Sequence, residues 1–172
     1  MKIFSILLAL TICLACNEAG KKQKSIELIT EASRQTNIFN NLIAVTNNTI
    51  PEARRSDSLA FLILPVQASC PACRKKTIDS IIEHRGDLPD RRFVVISANG
   101  GRKTIGAYFK EENSELPIIE NKLFLDSMNR AFKYDLYSDK PTIYYTFNQK
   151  AYKKISSIPI TVKQDLHSFF TN

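Results

Sequence analysis

The residues of this chain best suited to chemistry are Cys70 and Cys73, in the run Ser69-Cys70-Pro71-Ala72-Cys73. Two thiols at this spacing can pass electrons. One sulfur, as thiolate, attacks a disulfide, and the other resolves the mixed disulfide that results. The spacing places both at the first turn of a helix. Free backbone N–H groups and the helix dipole there stabilise a thiolate and pull its pKa below that of free cysteine. Pro71 suits an early helical position because it has no N–H to leave unpaired. Arg74, Lys75 and Lys76 add positive charge, which solvent and salt screen in part. On this reading Cys70 is the nucleophile and Cys73 the resolving thiol.

The other two of the four cysteines, Cys13 and Cys16, sit at the N-terminus. Met1-Lys2 supplies a short positive region. The apolar run from Ile3 to Ala15 has signal-peptide length and is too short for an ordinary membrane span. It ends at Cys13-Leu14-Ala15-Cys16, which resembles a bacterial lipobox, where a small residue precedes the cysteine that receives the lipid. Ala15 and Cys16 fit that pattern; Cys13 and Leu14 depart from its usual aliphatic and small residues. The resemblance implies a signal peptide over 1–15, a lipid on Cys16, a polar tether over 16–24, and a bacterial membrane lipoprotein facing the periplasm. An ordinary cleaved signal peptide, with Cys16 an incidental thiol, is the alternative. Either way, export places Cys70 and Cys73 where disulfides persist.

Composition narrows the classes further. The chain has 172 residues and is 44% hydrophobic, enough for one domain with its own core and too much for a disordered chain. The net charge is +7, but the basic residues are scattered and no nucleic-acid module is visible. An anionic membrane surface is the simpler partner for that charge, and no nucleic acid is expected. The chain has 2 histidines, and His84 would lie three turns down the helix that starts at Cys70. No metal site and no cofactor are therefore expected, since zinc usually takes four ligands. A purely structural Cys70–Cys73 bridge would close a tiny loop and stabilise little. Pro65 and Ser69 approach a peroxidase spacing that neither cysteine completes. Gly100-Gly101-Arg102-Lys103-Thr104 lacks the Gly-Lys pair of a phosphate loop and reads as a turn. Asn47-Asn48-Thr49 matches a glycosylation acceptor by chance.

These residues need elements to hold them. Ser25 to Thr46 carries apolar residues at mostly helical spacing and predicts an amphipathic helix on the domain edge, followed by a loop over 47–58. Leu59-Ala60-Phe61-Leu62-Ile63-Leu64 and Phe93-Val94-Val95-Ile96 read as strands buried on both faces. Between them Ile78, Ile81 and Ile82 mark a helix face that stops near Gly86. Asn99-Gly100-Gly101 is a turn, and 102–112 a helix through Ile105, Tyr108 and Phe109. One of Leu116–Ile119 and Lys122–Leu125 is a third parallel strand. A short helix over 127–136 would face Met128, Ala131 and Phe132 inward. Pro141 to Phe147 and Ala151 to Ile155 form a hairpin around Asn148-Gln149-Lys150, with Asn148 able to adopt a left-handed conformation, and Val162 to Phe170 a closing helix. Such alternation argues for an α/β sheet, mostly parallel at its core with an antiparallel edge.

Strand, loop, Cys-Pro-Ala-Cys and amphipathic helix resemble the active-site arrangement of the thioredoxin superfamily. Leu123-Phe124-Leu125-Asp126, then Ala131 to Leu136, then Pro141-Thr142-Ile143-Tyr144-Tyr145 resemble the second half of its TlpA-like and peroxiredoxin-like, or redoxin-type, domains. The resemblance covers roughly residues 59–170. It implies a three-layer sandwich over 59–172, a central mixed sheet flanked by helices, with 25–58 an extra N-terminal helix and loop. It implies a thiol–disulfide oxidoreductase acting on protein thiols or disulfides together with a redox partner protein. It also implies a cis Lys140–Pro141 bond lying against the Cys-x-x-Cys loop, with Lys140, Pro141 and Pro71 lining a substrate groove. The chain has Ser69 where thioredoxins usually carry Trp, and Leu64 where many members keep a buried acid. The alternative is a non-catalytic lipoprotein of the same fold that binds a partner.

Overall fold

The computed structural model describes residues 26–171. The expected signal peptide, the tether and Cys16 lie outside the described residues. The element order is β1 (Ile26–Leu28), α1 (Ala32–Val45), a 3-10 turn (Glu52–Arg54), β2 (Leu59–Pro65), α2 (Pro71–Glu83), β3 (Arg92–Ser97), α3 (Gly101–Glu111), β4 (Leu123–Asp126), α4 (Arg130–Lys133), β5 (Thr142–Phe147), β6 (Lys150–Ser156) and α5 (Val162–Thr171).

All seven residues of β2 are buried, as are Phe93 to Ser97 of β3. Continuous apolar runs of this kind form strands covered on both faces. Side chains alternate across a strand, so β2 divides cleanly. Leu59, Phe61 and Ile63 pack with Phe39, Leu42 and Ile43 of α1 and Ala131 of α4. Ala60, Leu62 and Leu64 pack with Ile78 and Ile81 of α2, Ile105 and Phe109 of α3, and Leu166 and Phe169 of α5. Helices thus cover both faces of one sheet, giving three layers.

The six strands lie in the order β1-β6-β5-β2-β3-β4. β2, β3 and β4 are parallel; β5 is antiparallel to β2, and β6 to β5 and β1. The C-terminal ends of the three parallel strands therefore meet at one end of the sheet, with the loops that follow them. Ile63 of β2 pairs with Thr142 of β5, so Pro141, one residue earlier, stands at that same end. The β5–β6 hairpin turns on Asn148 and Gln149, at φ 48° and 58°. That is the left-handed pair a tight hairpin needs, with Asn148 as expected and Gln149 added.

Three expectations are corrected. Ser25 to Thr46 is not one helix: Ile26–Leu28 pairs with Lys153–Ile155 of β6, and Ile29 N–H donates to the Tyr152 carbonyl at 2.9 Å. The open edge of β6 offers backbone partners that outweigh helical periodicity in residues as β-prone as Ile26 and Ile29. Met128 and Phe132 do not face inward; they are 66% and 57% exposed, while Ala131 is fully buried. Asn129 takes a left-handed conformation (φ 53°), which delays α4 and shortens it to four residues, and Leu136 and Tyr137 take the buried places. Finally, no cis peptide bond occurs among the described residues, so Lys140–Pro141 is trans. The trans bond leads Pro141 directly into the ladder, where its carbonyl accepts from Ser157 N–H at 2.9 Å.

Candidate functional site

Cys70 and Cys73 form a disulfide at the start of α2, their Cα atoms 5.3 Å apart. Cys70 is the N-cap, with extended backbone (φ −54°, ψ 141°), and Pro71 follows at the first helical position. The Cys70 sulfur accepts a hydrogen bond from Cys73 N–H at 3.1 Å. The cap is thus made by sulfur, in the place where serine or aspartate oxygen commonly serves. The Cys70 carbonyl accepts from Arg74 N–H at 2.9 Å, and Thr77 Oγ1 donates to the Cys73 carbonyl at 2.8 Å.

The two sulfurs differ in access. Cys70 is half-buried, Cys73 is 1% exposed, and Pro71 and Ala72 lie at the surface between them. An incoming thiolate would therefore meet Cys70 first, and the electron pair of the broken bond would pass to the buried Cys73.

The preceding loop is held from three sides. Ser69 N–H donates to the Pro65 carbonyl at 2.9 Å, Val66 N–H to the Ser97 carbonyl at 3.2 Å, and Asn99 N–H to Gln67 Oε1 at 2.7 Å. Arg74 donates to the Val66 carbonyl at 3.2 Å, lies 3.6 Å from the Glu111 carboxylate and sits 4.6 Å over the Tyr108 ring. Lys75 lies 3.1 Å from Asp79 and 3.8 Å from Glu112, and Lys76 donates to the Pro159 carbonyl at 3.3 Å. The positive charge expected from Arg74 and Lys75 is thus largely matched by carboxylates. What remains to stabilise a thiolate at Cys70 is chiefly the helix terminus itself.

Pro141 is buried and Lys140 is half-buried, with its Nζ 4.0 Å from the Asp139 carboxylate. Sheet register brings Pro141 and Cys70 to one end of the molecule although they are far apart in sequence. Leu64 is fully buried in the core.

A second polar cluster supports this end. Asp126, 1% exposed, accepts from Ser97 Oγ at 2.8 Å, Arg130 N–H at 2.9 Å and Ala131 N–H at 2.7 Å. Arg130 Nε lies 3.5 Å away. The carboxylate therefore caps α4 from the end of β4. Asn129 Oδ1 accepts from the Tyr137 hydroxyl and from Ser97 Oγ, the latter at 2.8 Å. Burial pushes the Tyr137 phenol above its usual range. Of this cluster the sequence pattern singled out Asp126, as the residue ending a strand; Asn129 and Tyr137 gave no separate signal.

His84 is half-buried, its ring stacked on Phe170 at 4.8 Å and its Nδ1 3.2 Å from Asp87, while His167 is exposed. Neither approaches the cysteines as a ligand would: among the described residues no three His, Cys, Asp or Glu side chains gather as metal ligands. Among the described residues no helix is long and apolar enough to cross a membrane.

A mixed α/β sheet covered on both faces, with a Cys-x-x-Cys pair at disulfide distance where a helix begins, is compatible with a thioredoxin-like fold and a redox-active site. Comparison with models of known protein families and with curated proteins finds no match.

Proposed function

We propose that this protein is a thioredoxin-fold oxidoreductase that exchanges electrons with protein thiols through Cys70 and Cys73. The observation that carries the reading is the asymmetry of the pair: a half-buried sulfur at the helix N-cap joined to a fully enclosed one. In the reductive half-cycle a partner thiolate bonds to Cys70 Sγ and the Cys70–Cys73 bond breaks, its electron pair going to Cys73. The partner's second thiol loses its proton, attacks the partner's own sulfur in the mixed disulfide, and releases Cys70 as thiolate. The partner dithiol becomes a disulfide and the pair becomes a dithiol. The reverse sequence reduces a partner disulfide and returns the pair to its disulfide form.

The N-terminal pattern supports export and a lipid on Cys16, which would hold this chemistry on the periplasmic side of a bacterial membrane. Pro141, Lys140 and Pro71 would border the partner's backbone.

The test is reduction of a disulfide substrate by dithiothreitol with catalytic amounts of protein. Cys70→Ser abolishes turnover, and Cys73→Ser accumulates a mixed disulfide with the substrate, because the resolving sulfur is gone. Equal rates for wild type and Cys70→Ser would instead leave the protein a partner-binding module.

A further inference from the structure

Helices cover the sheet unevenly. On the face that carries α2, α3 and α5, register sets rows of side chains across β5, β6 and β1: Ile143, Ile155 and Ile26, then Tyr145, Lys153 and Leu28, then Phe147 and Lys150. Ile143 and Ile155 pack in the core with Leu166 and Phe169 of α5. Beyond them the cover ends: Leu28 is 70% exposed, Phe147 60% and Ile26 48%. A solvated sheet face is ordinarily polar at alternate positions. Here those positions hold Ile, Leu and Phe, and an apolar patch rimmed by polar groups marks a surface that meets a partner. Glu27 points to the opposite face, where it pairs with Arg34 of α1.

The charge on the strip is positive. Lys150 is exposed, and Lys153 is half-buried with its Nζ 5.1 Å from the centre of the Tyr145 ring. Asp165 of α5, the carboxylate that bears on Tyr145, already accepts from Thr161 Oγ1 at 2.8 Å. Lysine stems lie along apolar surface while their ammonium groups reach outward, and tyrosine suits a boundary between apolar and aqueous phases. Three more lysines, Lys21, Lys22 and Lys24, stand just before β1 in sequence, and Cys16 lies ten positions before Ile26. Ten residues of chain reach at most about 35 Å.

We infer that this strip docks on an anionic lipid surface: Ile26, Leu28 and Phe147 enter the headgroup layer, and Lys150 and Lys153 meet lipid phosphates. The inference goes beyond thiol exchange and rests on the membrane-lipoprotein reading for its tether. A lipid on Cys16 would keep β1 within that reach of the bilayer, so that effective concentration multiplies a weak contact. Two strands separate β1 from β2, whose C-terminal end leads to Cys70, which keeps the exchange site off the docked edge.

The chain has no Trp, so a single introduced one reports its own surroundings. Full-length protein carrying Phe147→Trp is reconstituted with vesicles of phosphatidylglycerol and phosphatidylcholine. Its emission shifts to the blue and brominated lipid quenches it. Tyr134→Trp, at an exposed position just past α4 in the opposite layer, shows neither effect. Adding Lys150→Gln and Lys153→Gln to Phe147→Trp lowers the ratio of docked to undocked protein about 25-fold, at about fivefold per lysine. Vesicles of phosphatidylcholine alone leave the Phe147→Trp emission unquenched. Equal quenching in Tyr134→Trp overturns the inference, as does quenching of Phe147→Trp that neither the lysine changes nor neutral lipid reduces. Emission already blue-shifted without lipid also overturns it, because a second copy or the chain's own N-terminal segment then covers the strip. Protein that fails to float with the vesicles refutes tether and docking together. Protein that floats with Phe147→Trp unquenched refutes the docking alone.

Discussion

Replacing Asp126 with alanine removes the acceptor that ties the end of β4 to the start of α4. The carboxylate takes hydrogen bonds from Arg130 N–H and Ala131 N–H, from Ser97 Oγ, and sits 3.5 Å from Arg130 Nε. After the change, Ser97 can still donate to Asn129 Oδ1, and Arg130 still donates to Asn47 Oδ1 at 2.7 Å. The two backbone N–H groups have no such substitute, and the one on Ala131 is fully buried. An unsatisfied buried donor costs about 1–3 kcal/mol. Two of them, the Arg130 group only partly shielded from water, come to about 2–5 kcal/mol. Against a total of roughly 5–15 kcal/mol for a domain, that is a large share. Asp126→Asn keeps one acceptor oxygen and turns the other into a donor facing a donor, so it falls between wild type and alanine. Urea denaturation of the oxidised protein measures both. The Cys70–Cys73 potential of Asp126→Ala, read under conditions where it is folded, stays at the wild-type value, because the carboxylate caps a helix and does not serve the sulfurs. A loss of under about 1 kcal/mol in Asp126→Ala would refute the capping account, and a shifted potential would refute the separation of the two clusters.

Alkaline pH tests the buried phenols. Burial raises the pKa of Tyr137, Tyr144 and Tyr145, and the Tyr144 hydroxyl donates to the Leu136 carbonyl at 2.9 Å. Each raised group contributes stability that is intact below the unfolded tyrosine value of about 10. It is lost above that value at about 1.4 kcal/mol per pH unit, since the unfolded chain gives up a proton the native state keeps. Equilibrium unfolding between pH 8 and 11 should show the decline, and Tyr144→Phe should flatten it; a decline as steep in Tyr144→Phe as in wild type counts against the assignment. Ile63→Ala opens a cavity in fully enclosed β2 and costs about 2–5 kcal/mol in urea denaturation. Gly100→Ala strains the turn into α3, where φ is 103° and a Cβ would lie 2.5 Å from Thr104 Oγ1. A loss of about 1–3 kcal/mol in thermal unfolding is expected, with Thr104 forced to turn away.

The parts of the fold that could be read without coordinates are those whose signal is local. Leu59–Leu64 and Phe93–Ile96 could only be strands covered on both faces, and both are. Cys70-Pro71 announced a helix start, and the cysteine is the N-cap. Asn148 announced a hairpin turn, and its φ is positive. In each case a few neighbouring residues carry the whole cause: an unbroken apolar run, a missing N–H, a tolerated left-handed torsion. The candidate cysteines were legible for the same reason, as chemistry fixed at single positions, whereas the cis bond expected before Pro141 is trans.

What needed the folded chain depends on residues that meet only after folding. Ile26–Leu28 became a strand because β6, at the other end of the chain, presented an unpaired edge. Met128 and Phe132 stayed outside because a left-handed Asn129 displaced α4, a backbone choice stabilised by Ser97 and Tyr137 on neighbouring segments. The trans bond at Pro141 and the carboxylates that meet Arg74 and Lys75 are likewise products of packing. Sequence alone determined which two sulfurs stand at a helix start. Tertiary structure decided which of them is reachable and what surrounds the charge they would carry, because access and partners are set by distance in space and not by spacing along the chain.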